Sequence, residues 1–284
     1  MEVIKDFFRR YDMENKTLTL QETKSYELEI LKVFADYCNN KGLKYYLAYG
    51  TLLGAVRHGG FIPWDDDIDV WMPRPDYEKF IKLTGHNPIT SNYETILYRD
   101  TRIKSIYPFV KIIDTRTVVI EETKIRKSKM GIWIDVFPLD ALPDDESETL
   151  RMIKKSKKLQ KFIGVAQSRL SSAKNIIKLI LKIILFPYFK INGIKRFCRK
   201  LEKLCTKHDF SKSKYYGEIT WSLDGYLKCP ICDFEPATTV EFEGFSFSAP
   251  NNYKSVLEKY YGDYMTLPPE NERSGHHFLA YRLK

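Results

Sequence analysis

An α+β protein is what the 284 residues predict, and three observations carry that expectation. Helical and strand periodicities alternate along the first half of the chain, in the order helix, strand, helix, strand, helix, then three strands. Apolar residues make up 43 % and charged residues 29 %, which excludes a disordered, collagen-like or polytopic membrane chain. The net charge of +9 is also unevenly placed. Residues 151–214 hold 19 Lys/Arg against only Glu202 and Asp209, a local balance of +17, so the rest of the chain is −8. A mildly acidic protein therefore carries one strongly basic segment.

The elements follow in order. Thr19 and Glu22 form a capping-box pattern, and Tyr26, Ile30, Val33, Phe34 and Tyr37 recur at helical spacing until Gly42. Lys44 to Tyr49 reads as a strand, Gly50-Thr51 as a sharp turn, and Leu52 to His58 as a short helix ended by Gly59-Gly60. Asp67 to Met72 alternates acidic and apolar side chains as a half-buried strand does, and Pro75 opens a helix over Asp76 to Leu83. Strands are expected at Tyr107 to Ile113, Thr117 to Glu122 and Ile132 to Phe137. Asp140 reads as a turn residue before Pro143. Asp144 to about His208 turns helical and basic, with a break at Pro187. A hairpin across Glu243-Gly244, a helix over Asn251 to Tyr261 and an irregular tail from Gly262 complete the chain. Three regions are expected: 1–143 as the core, 144–214 as a basic helical insertion, and 215–284 packing back on the core.

Five cysteines at irregular spacing suit a reducing compartment better than a disulfide framework. Met1 to Lys24 has no apolar h-region, so the expected location is cytoplasmic.

The densest chemistry lies between Gly50 and Val70. On an extended strand Asp67 and Asp69 point to one face, about 7 Å apart at Cα. Paired carboxylates repel unless a cation sits between them, and a hard ion such as Mg²⁺ (or Mn²⁺) is held by one or two carboxylates together with substrate phosphates. Asp65 offers a third ligand from the preceding loop. A turn followed by a solvated edge strand fits poorly, because Ile68, Val70 and Trp71 mark the opposite face as buried.

The run from Tyr49 to Val70 resembles the signature of the LicD family, which includes bacterial phosphocholine transferases and is similar to fukutin and fukutin-related protein. Gly50-Thr51, the short helix, Pro63-Trp64-Asp65-Asp66 and Asp67-Ile68-Asp69-Val70 carry the resemblance together. Phe109 to Thr117, Gly131 to Asp140, Phe234-Glu235-Pro236, Phe242-Glu243-Gly244 and Tyr261 to His277 look like the family's further blocks; the basic middle does not. The resemblance implies a nucleotidyltransferase-like mixed sheet flanked by helices, a CDP-activated donor, and a sugar hydroxyl as acceptor. CDP-choline is the first expectation for the donor and a lipid-linked teichoic acid or lipopolysaccharide precursor for the acceptor. Ribitol or glycerol phosphate is the alternative cargo. A protein of another class, binding nucleic acid through an inactive core, is the contrasting reading.

Other residues keep open roles. Asp135 faces away from buried Ile134 and Val136. In nucleotidyltransferase-like enzymes a third carboxylate on a neighbouring strand completes the metal site or takes the proton of the attacking hydroxyl, and a hydrogen-bonded strand-end Asp is the plain alternative. Lys111, inside an apolar strand, needs a phosphate partner or a solvent-facing edge. Gly50 and Thr51 bring backbone N–H groups to phosphate at a helix start. Arg57 and His58 either reach phosphate or cap their helix. Arg273, His276 and His277 are three potential cations in the tail, joining the site or lying in solvent. Trp64, Trp71, Trp133, Tyr45 and Tyr49 flank the acidic strand, where an aromatic cage for a quaternary ammonium is conceivable, although most aromatics belong to the core. Cys205, His208, Cys229 and Cys232 have zinc-compatible spacing, but half of the set lies in the unmatched middle and structural zinc is not expected.

Asn175 to Phe189 is the most apolar stretch, yet Lys178 and Lys182 interrupt it and it falls short of the roughly 20 residues a span needs. With its flanking cations it suits an interfacial helix on an anionic membrane, peripheral on the inner face of the plasma membrane; a buried helix with snorkelling lysines is the alternative. Nucleic acid is disfavoured, because base-stacking aromatics are few there.

Overall fold

A computed structural model describes residues 17–85, 87–99, 107–120, 130–167, 180, 193–221, 227–273 and 279–283. Helix α1 (Leu20–Lys41) begins with the capping box: Thr19 Oγ1 accepts the Glu22 N–H at 3.2 Å, and a Glu22 carboxylate oxygen accepts the Thr19 N–H at 2.9 Å. It ends at Gly42, whose φ of 60° is the left-handed turn glycine tolerates best. Its Ile30, Leu31, Phe34 and Cys38 are fully buried against the sheet.

The sheet is built from β1 (Tyr46–Leu47), β2 (Asp69–Pro73), β3 (Tyr93–Ile96), β4 (Val110–Asp114) and β6 (Trp133–Leu142), in the order β1-β2-β6-β4-β3. Strands β2 and β6 pair in parallel and the other neighbours antiparallel. The ten-residue β6 is the spine; only Asp135 along it escapes full burial, as expected of a strand covered on both faces. Helices α2 (Tyr49–His58) and α3 (Arg74–Thr84) flank it. Strand β5 (Thr117–Ile120) stands outside that sheet.

Beyond β6, helix α4 (Glu146–Gln167) and a helix over residues 193–205, α5, bring Ile163, Phe197, Cys198, Leu201 and Cys205 into the core. Strands β7 (Tyr215–Gly217) and β8 (Cys229–Pro230) extend the sheet from the far half of β6. The hairpin β9 (Thr238–Phe242) and β10 (Phe245–Ala249) turns at Glu243 and Gly244, both at positive φ, and rests on α2 and β1. Helix α6 (Tyr253–Tyr261) packs beside α2, and β11 (Leu279–Arg282) pairs with β5.

Several expectations are corrected. The strand expected from Asp67 begins only at Asp69, because residues 62–66 turn back on themselves, with the Asp65 N–H donating to the Ile62 carbonyl at 3.0 Å. Gly50 and Thr51 lie in the first turn of α2, not in a turn ahead of it. Asp140 is no turn residue: it is buried inside β6, where Arg74 donates to its two oxygens at 2.6 and 2.9 Å. The tail is not wholly irregular, since β11 finds a partner far back in the sequence. Strand β3 was hidden by its polar neighbours. The Asn175 to Phe189 stretch lies outside the described residues except Ile180. No helix among the described residues is long and apolar enough to cross a membrane.

Candidate active site

The site forms where β2, β4 and β6 run side by side and α2 starts. Asp69 is the β2 partner of Asp135 on β6, and Asp135 is in turn the partner of Lys111 on β4, so register alone places the three in a row. The Lys111 ammonium donates to Asp135 Oδ1 at 2.5 Å. It also lies 4.2 Å from the Trp133 ring centre and 4.4 Å from that of Tyr107. The solvent-facing alternative for Lys111 is corrected: the lysine is 3 % exposed on an inner strand and pairs with a carboxylate of the same sheet. That pairing removes most of the cost of burying the ammonium.

The start of α2 fixes the other side. Thr51 Oγ1 accepts the Asp69 N–H at 2.8 Å, tying helix to strand, and the Ala48 N–H donates to the Asp69 carbonyl at 3.0 Å. Gly50 is required by proximity: a Cβ there would sit 2.5 Å from Asp65 Oδ2. Asp65 therefore packs its carboxylate against the first turn of α2, where backbone N–H groups point outward.

Negative charge accumulates here with little to balance it. Desolvation pushes the Asp69 carboxyl well above the usual carboxylate range, Asp67, Asp135 and Asp65 push it further, and Lys111 opposes them. Glu27 of α1 is raised in the same way, by its own burial and then by Asp67, Asp66 and Asp65, against Lys24. Tyr261, at the end of α6, is pushed up by burial, by Tyr260, and by Asp69, Asp65 and Asp67. Among the described residues no group of three or more His, Cys, Asp or Glu side chains is arranged to hold a metal ion.

Cations gather on the neighbouring edge. Arg57 donates from Nη1 to the Tyr264 carbonyl at 2.8 Å and from Nε to His58 Nε2 at 3.0 Å. Burial lowers the Arg57 pKa, and nearby Arg273 adds to that. His58 is lowered by burial and by Arg57. Arg273 lies 5.1 Å above the Trp64 ring. His276 and His277 lie outside the described residues.

Of the aromatic candidates, Trp71 and Tyr45 are core residues at 1 % and 3 % exposure, and Trp133 faces Lys111. Tyr49 packs against Trp71, Phe137 and Tyr260 and donates its hydroxyl to Glu218 at 2.7 Å. Burial lifts Glu218 to about 7 even though Tyr49 and the Trp221 N–H hydrogen-bond to it. Cys205 and Cys229 are buried, Cys232 is exposed, and the Thr220 hydroxyl donates to Cys205 at 3.6 Å. Sequence reasoning missed Glu27, Glu218 and Tyr261. For Glu27 a signal existed, since an acid on the apolar face of an amphipathic helix needs a reason.

Residues 42–163 match the family described as LicD/FKTN/FKRP, nucleotidyltransferase domain. The chain is similar to the lipopolysaccharide cholinephosphotransferase LicD of Haemophilus influenzae, with 34 % identity over 274 residues, 94 % of this chain and 100 % of the relative. The chain belongs to the LicD family. It is accordingly a transferase of phosphate-containing groups. The human ribitol 5-phosphate transferase FKRP is similar over a shorter stretch, with 38 % identity over 66 residues, 23 % of this chain and 12 % of that protein.

Proposed function

We propose that this LicD-family protein transfers phosphocholine from CDP-choline to a sugar hydroxyl of a cell-surface glycan precursor, lipopolysaccharide or teichoic acid, and releases CMP. The observation that carries the reading is the row Asp69, Asp135 and Lys111 beside the Gly50-Thr51 helix start, in a chain similar throughout to a cholinephosphotransferase.

The chemistry of the donor set suits Mg²⁺ or Mn²⁺: Asp67 and Asp69 offer hard carboxylate oxygens, with Asp65 and Asp135 as further candidates that act on Asp69 electrostatically, and a cation completed by substrate phosphates needs only one or two of them. When bound, the ion supplies charge neutralisation on the diphosphate. Asp67 and Asp69 would hold it, with Asp65 as the third candidate ligand. The acceptor oxygen attacks the phosphorus bearing choline in line, and the bond to the CMP oxygen breaks with its electron pair leaving on CMP. Asp135, hydrogen-bonded by Lys111, is the group proposed to accept the hydroxyl proton or to serve as a ligand. Gly50 and Thr51 orient phosphate at the helix start, while Arg57, His58 and Arg273 line the edge where the donor's anionic groups enter. His276 and His277 belong to that edge by sequence position alone.

CMP release from CDP-choline with a glycan acceptor, measured with and without chelator, tests the reading. Undiminished turnover in Asp67→Asn and Asp69→Asn proteins, or in excess EDTA, overturns it. The short match to a ribitol 5-phosphate transferase supports a second cargo, so CDP-choline and CDP-ribitol are compared side by side.

The working division is 1–143 as a nucleotidyltransferase-like core, 144–214 as the basic insertion and 215–284 as the segment returning to the core. The +17 charge of residues 151–214 supports docking on an anionic membrane at its cytoplasmic face, where a lipid-linked acceptor is presented. Removing residues 171–190 is expected to abolish liposome binding and to spare turnover of a soluble acceptor.

A further inference from the structure

The seam between α3 and α5 holds a group of charges apart from the acidic site. Arg74 and Glu78 at the start of α3, Arg99 beyond β3, and Arg199, Glu202 and Lys203 on α5 line an open cavity of about 420 Å³. That volume lies in the range of roughly 300–1,000 Å³ usual for small-ligand sites. The cavity stands at the Asp140 end of β6, and none of Asp65, Asp67, Asp69 and Asp135 lines it.

Two of the cations already occupy the carboxylates. Arg74 donates to the two Asp140 oxygens at 2.6 and 2.9 Å and to Glu78 at 3.1 Å, so its guanidinium is fixed in the wall. Arg99 pairs with Glu78 at 3.2 Å and with Glu202, which also accepts from the Tyr98 hydroxyl. Arg199 and Lys203 are left over. Four residues apart, they share one face of α5; both are exposed, and neither forms an ion pair among the described residues. Like charges one turn apart repel, and the guanidiniums of Arg74 and Arg99 add to the same field. Solvent can carry two exposed cations, but an anion in this cavity meets both of them against a positive wall that is already set in place.

We propose that the cavity between α3 and α5 is a phosphate-binding site, with Arg199 and Lys203 as the direct partners of the anion and Arg74 and Arg99 as its fixed wall. Phosphate suits this set, because its oxygens accept from a planar guanidinium fork and from an ammonium at once. The site uses no residue of the proposed transfer reaction. A soluble phosphate ester and the phosphomonoester head of a membrane lipid share this chemistry; the +17 balance of residues 151–214, to which α5 belongs, favours the lipid.

Full-length wild type, Arg199→Gln/Lys203→Gln and Lys154→Gln/Lys155→Gln proteins separate the possibilities. The last removes the same charge from exposed positions of α4, outside the cavity. Inorganic phosphate is titrated calorimetrically, and flotation is measured with phosphatidylcholine vesicles with and without phosphatidic acid. Arg199→Gln/Lys203→Gln is expected to bind phosphate about 100-fold more weakly, a tenfold loss for each charge-assisted contact removed, and to keep the wild-type denaturant midpoint, because both side chains are exposed. The α4 variant should bind phosphate like wild type, and any phosphate response from the Arg57 edge is common to all three proteins. A matching loss of flotation on phosphatidic acid assigns the site to a lipid head, and retained flotation assigns it to soluble phosphate esters. Equal losses in the two double variants reduce the interaction to diffuse charge and overturn the site. So does an Arg199→Gln/Lys203→Gln protein that takes up phosphate like wild type, or a wild type that takes up neither probe.

Discussion

The two aspartates of β6, five positions apart, meet opposite fates. Asp140 is fully buried and held on both oxygens by Arg74, which also bonds Glu78 at 3.1 Å, so its charge is answered within the chain. Asp135 shares one lysine with a row of further carboxylates, and Asp69 beside it is driven up by desolvation and by three acidic neighbours. Burial of an acid is common to both. What distinguishes the Asp135 end of the strand is that its acids stand close enough to raise one another, the signature the proposed site rests on.

The sharpest break of that contrast is Asp69→Asn. Turnover is expected to fall about 10²–10³-fold or more, the scale of losing one charge-stabilising group in a water-poor site. The folded protein should melt no lower than wild type without added metal, since the change removes repulsion. A drop in thermal stability matching the drop in activity would show that Asp69 serves the fold.

Asp140→Asn should do the reverse. Leaving the Arg74 guanidinium half-answered in a buried place is expected to cost about 3–5 kcal/mol in denaturant unfolding. Turnover per folded molecule should stay close to wild type. Loss of turnover in the still-folded fraction would mean that the two ends of β6 are coupled.

Sequence sets these two residues apart, Asp135 as a site candidate and Asp140 as a turn residue, but it misplaces Asp140, which the structure buries inside β6. Each sits singly among apolar neighbours, and the partners that decide their roles, Lys111 and Arg74, lie on other elements. By contrast, Gly50-Thr51, the short helix and the Asp run were legible because the spacing that makes the site is local. The strand start was misplaced for a local reason too: alternation in Asp67 to Met72 looks extended, yet the approach turns at residues 62–65, closed by the Asp65 N–H on the Ile62 carbonyl. Strand β11 was invisible because a four-residue Leu279–Arg282 segment carries no period until β5 supplies the ladder. The charge of residues 151–214 was plain from composition, whereas what that segment touches is not a property composition holds.

Gly50→Ala probes the local part. The new methyl would meet the Asp65 carboxylate at 2.5 Å, and the aspartate, as the flexible partner, should swing away. A displacement of that size is expected to lower kcat/KM by about 10²-fold at nearly unchanged stability. Restoration by a second change, Asp65→Ala, would instead show that Asp65 is only an obstacle.

Glu218 refines the comparison as an intermediate case, a fully buried acid answered by two neutral donors, the Tyr49 hydroxyl and the Trp221 N–H. Neutral donors do not offset its desolvation, and its pKa stands at about 7, above the ordinary 4.5. The folded chain thus holds a proton that the unfolded chain has released. The contribution of Glu218 to stability is fully present below pH 4.5 and is lost as pH rises towards 7, at up to about 1 kcal/mol per pH unit. Glu218→Gln keeps an acceptor for Trp221 and presents an amide to the Tyr49 oxygen, so it should remove that slope and leave stability nearly equal at pH 5 and pH 8. Denaturant midpoints at the two pH values provide the measurement. A wild-type slope that survives in Glu218→Gln would reassign the titration to Asp69 and Glu27, the carboxylates at the unbalanced end.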